Sequence, residues 1–216
     1  EILPACMTLP EAAMPDALQI YDDQPNQFMF QPMYKGEDPE DIFDDSAFVV
    51  EGSFHSQHEP HLPIETDVVQ GYYDTDGNVT LQCKCQAFGE CRDEIAPACG
   101  LDREKLRIIM NPSGGAFGYP VNSTTFGLVC TAVMTLGIPV TMTLSYEEFM
   151  FMTGKRGAAY VNAKLACDSN GKLTAGTVDA GLDHGAYAMI ASKFFCNLLS
   201  VGYHGYNMPN YKALVR

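Results

Sequence analysis

Three glycines, Gly114, Gly115 and Gly118, fall within the nine residues Asn111-Pro112-Ser113-Gly114-Gly115-Ala116-Phe117-Gly118-Tyr119. The segment before them, Lys105 to Met110, reads as a β-strand, and Ser123 to Gly137 after them reads as a helix. No other feature constrains the fold as much, because it demands a strand–loop–helix unit. Glycine carries no Cβ, so the backbone N–H groups of such a loop can come close to an anion or to a cofactor oxygen. The same residues also suit a plain tight turn, so the loop alone leaves both readings open.

The rest of the chain predicts a mixture of hairpins and helices. Val68–Asp74 and Asn78–Cys85 read as a hairpin around Thr75-Asp76-Gly77. Ala158–Asp168 and Leu173–Gly181 read as a second one over Ser169-Asn170-Gly171. Ala47–His55 and Val140–Leu144 are further strands, the latter isolated from the preceding helix by Pro139. Helices are expected over Phe88–Ala98, broken near Pro97 and ended at Gly100, and over Ser123–Gly137, where Ser123 or Thr124 supplies the cap. Ser145 and Glu148 have the spacing of a capping box for a short helix reaching Thr153. Ala186–Leu199 is a final helix, and Leu9–Leu18 a short helical turn. Such a mixture predicts an α+β fold rather than a regular βαβ series. The chain divides into an N-terminal approach segment with an acidic loop, residues 1–46, and a main domain, residues 47–216.

Composition narrows the function classes. With 216 residues and 46% hydrophobic content, the chain is one globular domain or a large part of one. Its formal charge of −14 argues against nucleic acid and against an anionic membrane surface as partners. No apolar run reaches the roughly 18–20 residues of a membrane helix, and Phe126–Val140 is interrupted by Thr131, Gly137 and Pro139. No signal peptide is visible, and the start at Glu1 rather than Met reads as an excised piece or a processed product. A cytoplasmic location with reduced thiols is therefore expected for the eight cysteines.

Other clusters carry less. Cys83, Cys85, Cys91 and Cys99 form a C-x-C-x5-C-x7-C series that lacks the usual zinc and iron–sulfur spacings. His55, His58 and His61 are three apart, but Pro60 and Pro63 argue against the helix that would align them. No metal ligands are assigned in the chain. The six acids between Gly36 and Asp45 mark a solvated loop or helix surface, without the pattern of an EF-hand.

The ordered series of motifs resembles the molybdenum hydroxylases, the xanthine oxidase and aldehyde oxidoreductase family. The segment Asn111–Tyr119 resembles that family's GGxFG loop, and His61-Leu62-Pro63-Ile64-Glu65 its His…Glu stretch before a β-hairpin. Asp67 to Gln86 resembles the hairpin that ends in a glutamine near the metal. Gly137-Ile138-Pro139-Val140, Ser145-Tyr146-Glu147-Glu148, Thr153-Gly154-Lys155-Arg156, Asp183-His184-Gly185-Ala186-Tyr187 and Tyr206-Asn207-Met208-Pro209-Asn210 extend the match almost to the end of the chain. The bacterial aldehyde oxidoreductases are the most similar branch.

The resemblance implies a molybdopterin cofactor with molybdenum. The implied activity is hydroxylation of an aldehyde or aromatic N-heterocycle with oxygen taken from water, electrons leaving through iron–sulfur centres on other domains or subunits. By resemblance Gln86, Gly114, Gly115, Ala116, Phe117 and Gly118 approach the cofactor, and Phe117, Tyr119 and Val121 line the substrate channel. The Gly118-Tyr119-Pro120-Val121 run departs from the G-G-K-E of purine oxidisers, which favours an aldehyde. The family's general base and a second, arginine–glycine loop would lie beyond Arg216, so no catalytic residue is assigned here and the isolated chain is expected to be inactive. Implied partners are the iron–sulfur domain or subunit, the remaining molybdenum-binding domain and, in a homodimer, a second copy. Two other readings remain: a non-catalytic scaffold that keeps the fold, and an unrelated metal protein built on Cys83–Cys99.

Overall fold

The computed structural model describes residues 2–27, 31–119, 124–187, 203 and 205–216. In chain order its elements are α1 (Leu9–Ala12), β1 (Gln31–Lys35), α2 (Glu40–Phe43), β2 (Phe48–Ser56), β3 (Val68–Tyr73), β4 (Val79–Cys83), α3 (Phe88–Ala98), a 3-10 turn (Arg103–Lys105), β5 (Leu106–Met110), α4 (Thr124–Leu136), β6 (Val140–Thr143), α5 (Tyr146–Met152), β7 (Ala159–Cys167), β8 (Leu173–Leu182) and β9 (Asn210–Val215). The α+β expectation holds. Of the helix expected over Ala186–Leu199, residues 188–199 lie outside the described residues. The expected turn at Leu9–Leu18 is the shorter α1, closed by a capping box of Thr8 and Glu11.

The chain forms two compact units, Glu1–His58 together with Gly157–Arg216, and Glu59–Arg156. The first is built on a five-stranded sheet of order β1-β9-β8-β7-β2. Its hairpin β7–β8 is antiparallel, β8 and β9 are parallel, and β1 closes one edge against β9, so residues before 46 take part in this sheet. Ala180, Met208, Tyr211, Ala213 and Val215 form its main core. The edge strand β2 stands largely in solvent, with Phe48, Val50 and Phe54 at 61%, 65% and 65% exposure.

The second unit has a four-stranded sheet of order β5-β4-β3-β6. The hairpin β3–β4 is antiparallel as expected, but β4 pairs with β5 in parallel, from Val79 opposite Leu106 to Cys83 opposite Met110. Thus β4, α3 and β5 make one strand–helix–strand crossover within an otherwise antiparallel sheet. Helix α4 lays Phe126, Val129, Cys130 and Val133 against Val69, Val79, Leu81, Cys83 and Leu106, all essentially fully buried. Burial of each large apolar side chain there contributes about 1.5–3 kcal/mol, enough to hold the strand ends where the glycine loop begins.

Candidate functional site

Parallel pairing brings the carboxyl ends of β4 and β5 to the same edge of the sheet. The segments that leave those ends, Lys84-Cys85-Gln86 and the glycine loop, therefore run side by side. The Asn111 N–H donates to the Cys83 carbonyl at 2.9 Å and zips the first step of the loop to β4. Between the two segments lies an open groove of about 700 Å³ lined by Cys85, Gln86, Met110–Gly114 and Ala116. Its size falls in the range of small-molecule and cofactor sites.

The loop is supported from behind by the segment before β3. The Glu65 carboxylate accepts the Gly114 N–H. A Cβ on residue 114 would run into that carboxylate and displace it from the Gly114 N–H. At the other end, the Tyr119 hydroxyl donates to Asp67 Oδ2 at 2.9 Å, and the Thr125 hydroxyl, in the first turn of α4, donates to the same oxygen. Asp67 is 1% exposed and its Oδ1 has no hydrogen-bond partner among the described residues. Lys84, 3% exposed, donates to the Glu65 carbonyl at 2.5 Å and lies 5.9 Å and 5.7 Å from the ring centres of Tyr119 and Phe149. Burial pushes the Lys84 ammonium below its ordinary pKa, while the charges of Glu65 and Asp67 oppose that shift. Burial, then the neighbouring Asp67 charge, raises the Tyr119 hydroxyl. His61, whose ring lies 5.8 Å from that of Tyr119, is lowered chiefly by burial and then by the charge of Arg156.

With both ends held, the middle of the loop is left open. Among the described residues no hydrogen bond engages the N–H groups of Gly115, Ala116, Phe117 or Gly118, whereas the Tyr119 N–H closes on the Ala116 carbonyl at 3.0 Å. Phe117 has φ 53° and is 63% exposed, and Gly118 has φ 93°. A non-glycine residue in this backbone region is uncommon and is tolerated where the surroundings hold it.

The sequence-derived residues thus separate. Gln86, Gly114 and Ala116 line the groove. Gly115, Phe117 and Gly118 lie in the same loop, with the Cβ position of residue 115 only 3.3 Å from the Phe117 ring. Tyr119 is buried, edge-on to Phe149 at 4.9 Å and bonded to Asp67. Val121 lies outside the described residues. The supports Glu65 and Asp67, the buried Lys84 and the groove-lining Cys85 were not singled out from the sequence as site residues. Two acids and a lysine immediately flanking apolar strands were the available signal, since charged groups are rarely buried unpaired. No group of three or more His, Cys, Asp or Glu side chains suited to a metal occurs among the described residues. No described helix is long and apolar enough to cross a membrane.

The donor set fits a ligand rich in oxygen and nitrogen acceptors. Gln86 lines the groove together with Gly114 and Ala116 of the loop, and the backbone N–H groups of residues 115–118 are uncommitted among the described residues. Comparison with known proteins agrees. Residues 20–216 match the molybdopterin cofactor-binding domain, and the chain belongs to that family. It is 37% identical, over all of its length, to the aldehyde oxidoreductase of Megalodesulfovibrio gigas, and it covers 24% of that protein. It is 30% identical over 70% of its length to the nicotinate dehydrogenase large molybdopterin subunit of Eubacterium barkeri, covering 36% of that subunit. The crystal structure of the aldehyde oxidoreductase from Desulfovibrio desulfuricans superposes with a TM-score of 0.86 at 38% identity, over 99% of this chain and 24% of that one. The chain therefore spans about a quarter of its aldehyde oxidoreductase relatives and is a portion of a molybdopterin-binding domain.

Proposed function

We propose that this chain forms one wall of the cofactor site of a molybdenum-dependent oxidoreductase that hydroxylates an aldehyde or N-heterocycle with oxygen derived from water. The observation that carries this reading is the groove that Gln86 lines together with Gly114 and Ala116 of the glycine loop, in a chain of this family. The bound molybdopterin would supply the redox chemistry and the oxygen transfer. The chain's own residues would hold and orient it. The N–H groups of Gly115–Gly118 and the Gln86 carboxamide would be the donors that hold the cofactor there. Donors fixed on a supported backbone need little reorganisation when negative charge builds up on an oxygen, which is what such a reaction requires. Phe117, exposed beside them, forms an apolar wall of the substrate channel. Tyr119, buried under the loop, serves it as an anchor.

The rest of the longer protein supplies the general base, the second loop at the metal and the iron–sulfur domain or subunit that accepts electrons. A homodimer in the cytoplasm completes the reading. The test uses the full-length protein, with molybdenum measured by mass spectrometry, released pterin by fluorescence, and aldehyde oxidation with an artificial electron acceptor. Stoichiometric molybdenum and pterin with aldehyde turnover are expected, together with loss of turnover in Gln86→Ala. A folded full-length protein that holds neither molybdenum nor pterin would favour the scaffold alternative. The isolated 216-residue chain is expected not to turn over substrate.

A further inference from the structure

Cys85 leaves the end of β4 and lines the groove beside Gln86, while Cys91 lies in the first turn of α3. Their sulfur atoms are 3.7 Å apart. No other pair of described cysteines combines such a contact with a place on a cavity wall. We propose that Cys85 and Cys91 form a dithiol modification site that takes low-molecular-weight disulfides, with Cys85 as the entry nucleophile and Cys91 as the resolving thiol. The reaction concerns the protein with the groove free of cofactor, because a group bound beside Gln86 would cover Cys85.

The environments of the thiols support this division of labour. The hydrogen bond between Cys85 and Cys91, then one from the Ala87 N–H, lowers the Cys85 thiol to about 7, against burial and the negative charges of Glu90 and Asp67. A thiol titrating there is substantially ionised at neutral pH, and the thiolate is the attacking species. Burial instead pushes Cys83 up, and Cys130 up to about 12. Both thiols are buried, Cys85 at 2% and Cys91 at 0% exposure, and of the two only Cys85 lines the groove, so a reagent reaches the pair from the Cys85 side.

In the reaction, the Cys85 thiolate attacks one sulfur of the small disulfide, forming a mixed disulfide and releasing one thiolate. Cys91 gives up its proton to that thiolate and attacks Cys85 Sγ, expelling the second small thiol. The two protein thiols are oxidised by two electrons and one small disulfide is reduced to two thiols. From 3.7 Å the sulfurs need to close to the roughly 2.0 Å of a disulfide bond, a movement within reach of a loop residue. Closure would draw the Cys85-Gln86 segment toward α3 and shift the carboxamide at the lip of the groove.

The experiment is titration of the reduced full-length protein, freed of any bound cofactor, with oxidised glutathione, followed by acid quenching and peptide mass spectrometry. The expected result is a Cys85–Cys91 linkage, seen as loss of two hydrogens, ahead of glutathione addition at the partly exposed Cys6. In Cys91→Ser and Cys91→Ala a stable glutathione adduct should remain on Cys85. Should these variants fail to fold, the alkylation rate of Cys85 in the wild-type protein should rise with a midpoint of about 7. Thiols at 85 and 91 that stay reduced while Cys6 is modified would overturn the proposal, as would an adduct that forms at Cys91 first, or an alkylation rate of Cys85 that is flat through neutral pH.

Discussion

The two hairpin turns and the glycine loop all redirect the chain, and they are held by opposite means. In Asp74-Thr75-Asp76-Gly77-Asn78, Asp74 Oδ1 accepts the N–H groups of Asp76 at 2.9 Å and Asn78 at 2.8 Å. In Asp168-Ser169-Asn170-Gly171-Lys172, Asp168 Oδ1 accepts those of Asn170 at 2.8 Å and Lys172 at 2.9 Å. Gly77 and Gly171 take φ of 76° and 79°, where a side chain would be strained. Each turn satisfies itself within five residues. The glycine loop instead leans on Glu65, 49 positions before Gly114, and on Asp67, 52 positions before Tyr119. A loop whose N–H groups are to meet a ligand cannot consume them in closing on itself, so its shape must be imposed from behind.

Breaking the support should therefore cost more than breaking a turn. Asp67→Ala leaves the buried Tyr119 and Thr125 hydroxyls without their acceptor, and a loss of about 3 kcal/mol is expected, read by urea unfolding of the full-length protein. A loss no greater than that of Asp168→Ala would break the contrast. Gly114→Ala drives a methyl against the Glu65 carboxylate and should cost about 1–3 kcal/mol, with a fall in bound molybdenum that sets it apart from a turn variant. Gly77→Ala and Gly171→Ala should each cost about 1–2 kcal/mol through left-handed strain while leaving molybdenum content unchanged. Asp168→Ala, which removes only exposed turn hydrogen bonds, is expected to cost about 1 kcal/mol.

Acid separates the two kinds of structure as well. His61, beside the loop anchor Tyr119, is held below its ordinary pKa of 6.5 mainly by burial. The unfolded chain then binds the proton more readily, so the contribution of His61 is present above 6.5 and is lost as pH falls toward the folded pKa. Asp74 in the turn is held below its ordinary 3.8, first by the Asn78 N–H, so its contribution persists until pH drops below that value. Thermal unfolding between about pH 7 and 5 should weaken the wild-type protein more than His61→Gln, and Asp74→Asn should leave that slope unchanged.

Much of the local structure was legible in the residues. Thr75-Asp76-Gly77 and Ser169-Asn170-Gly171 announce their hairpins, and Ser145 and Glu148 do form the reciprocal cap of α5, at 3.2 Å and 2.8 Å. In each of these, donor and acceptor are neighbours in the chain, so residue type and spacing suffice. The parallel pairing of β4 with β5 was not legible, because strand direction depends on how α3 crosses between them. Nor was the burial of Tyr119, whose ring lies edge-on to Phe149 and whose hydroxyl reaches Asp67, 52 positions earlier.

The sequence by itself determined the turns, the caps, the α+β class and the glycine loop with its family likeness, all of which rest on interactions spanning a few residues or on an ordered set of motifs. Only the tertiary structure decided that Gln86 and the loop share one groove, that Glu65 and Asp67 stand behind that loop, and that Cys85 meets Cys91. Those contacts depend on which strand ends the buried face of α4 and the parallel register bring together. No short window of sequence carries that information, because the burial that enforces it is summed over the whole core.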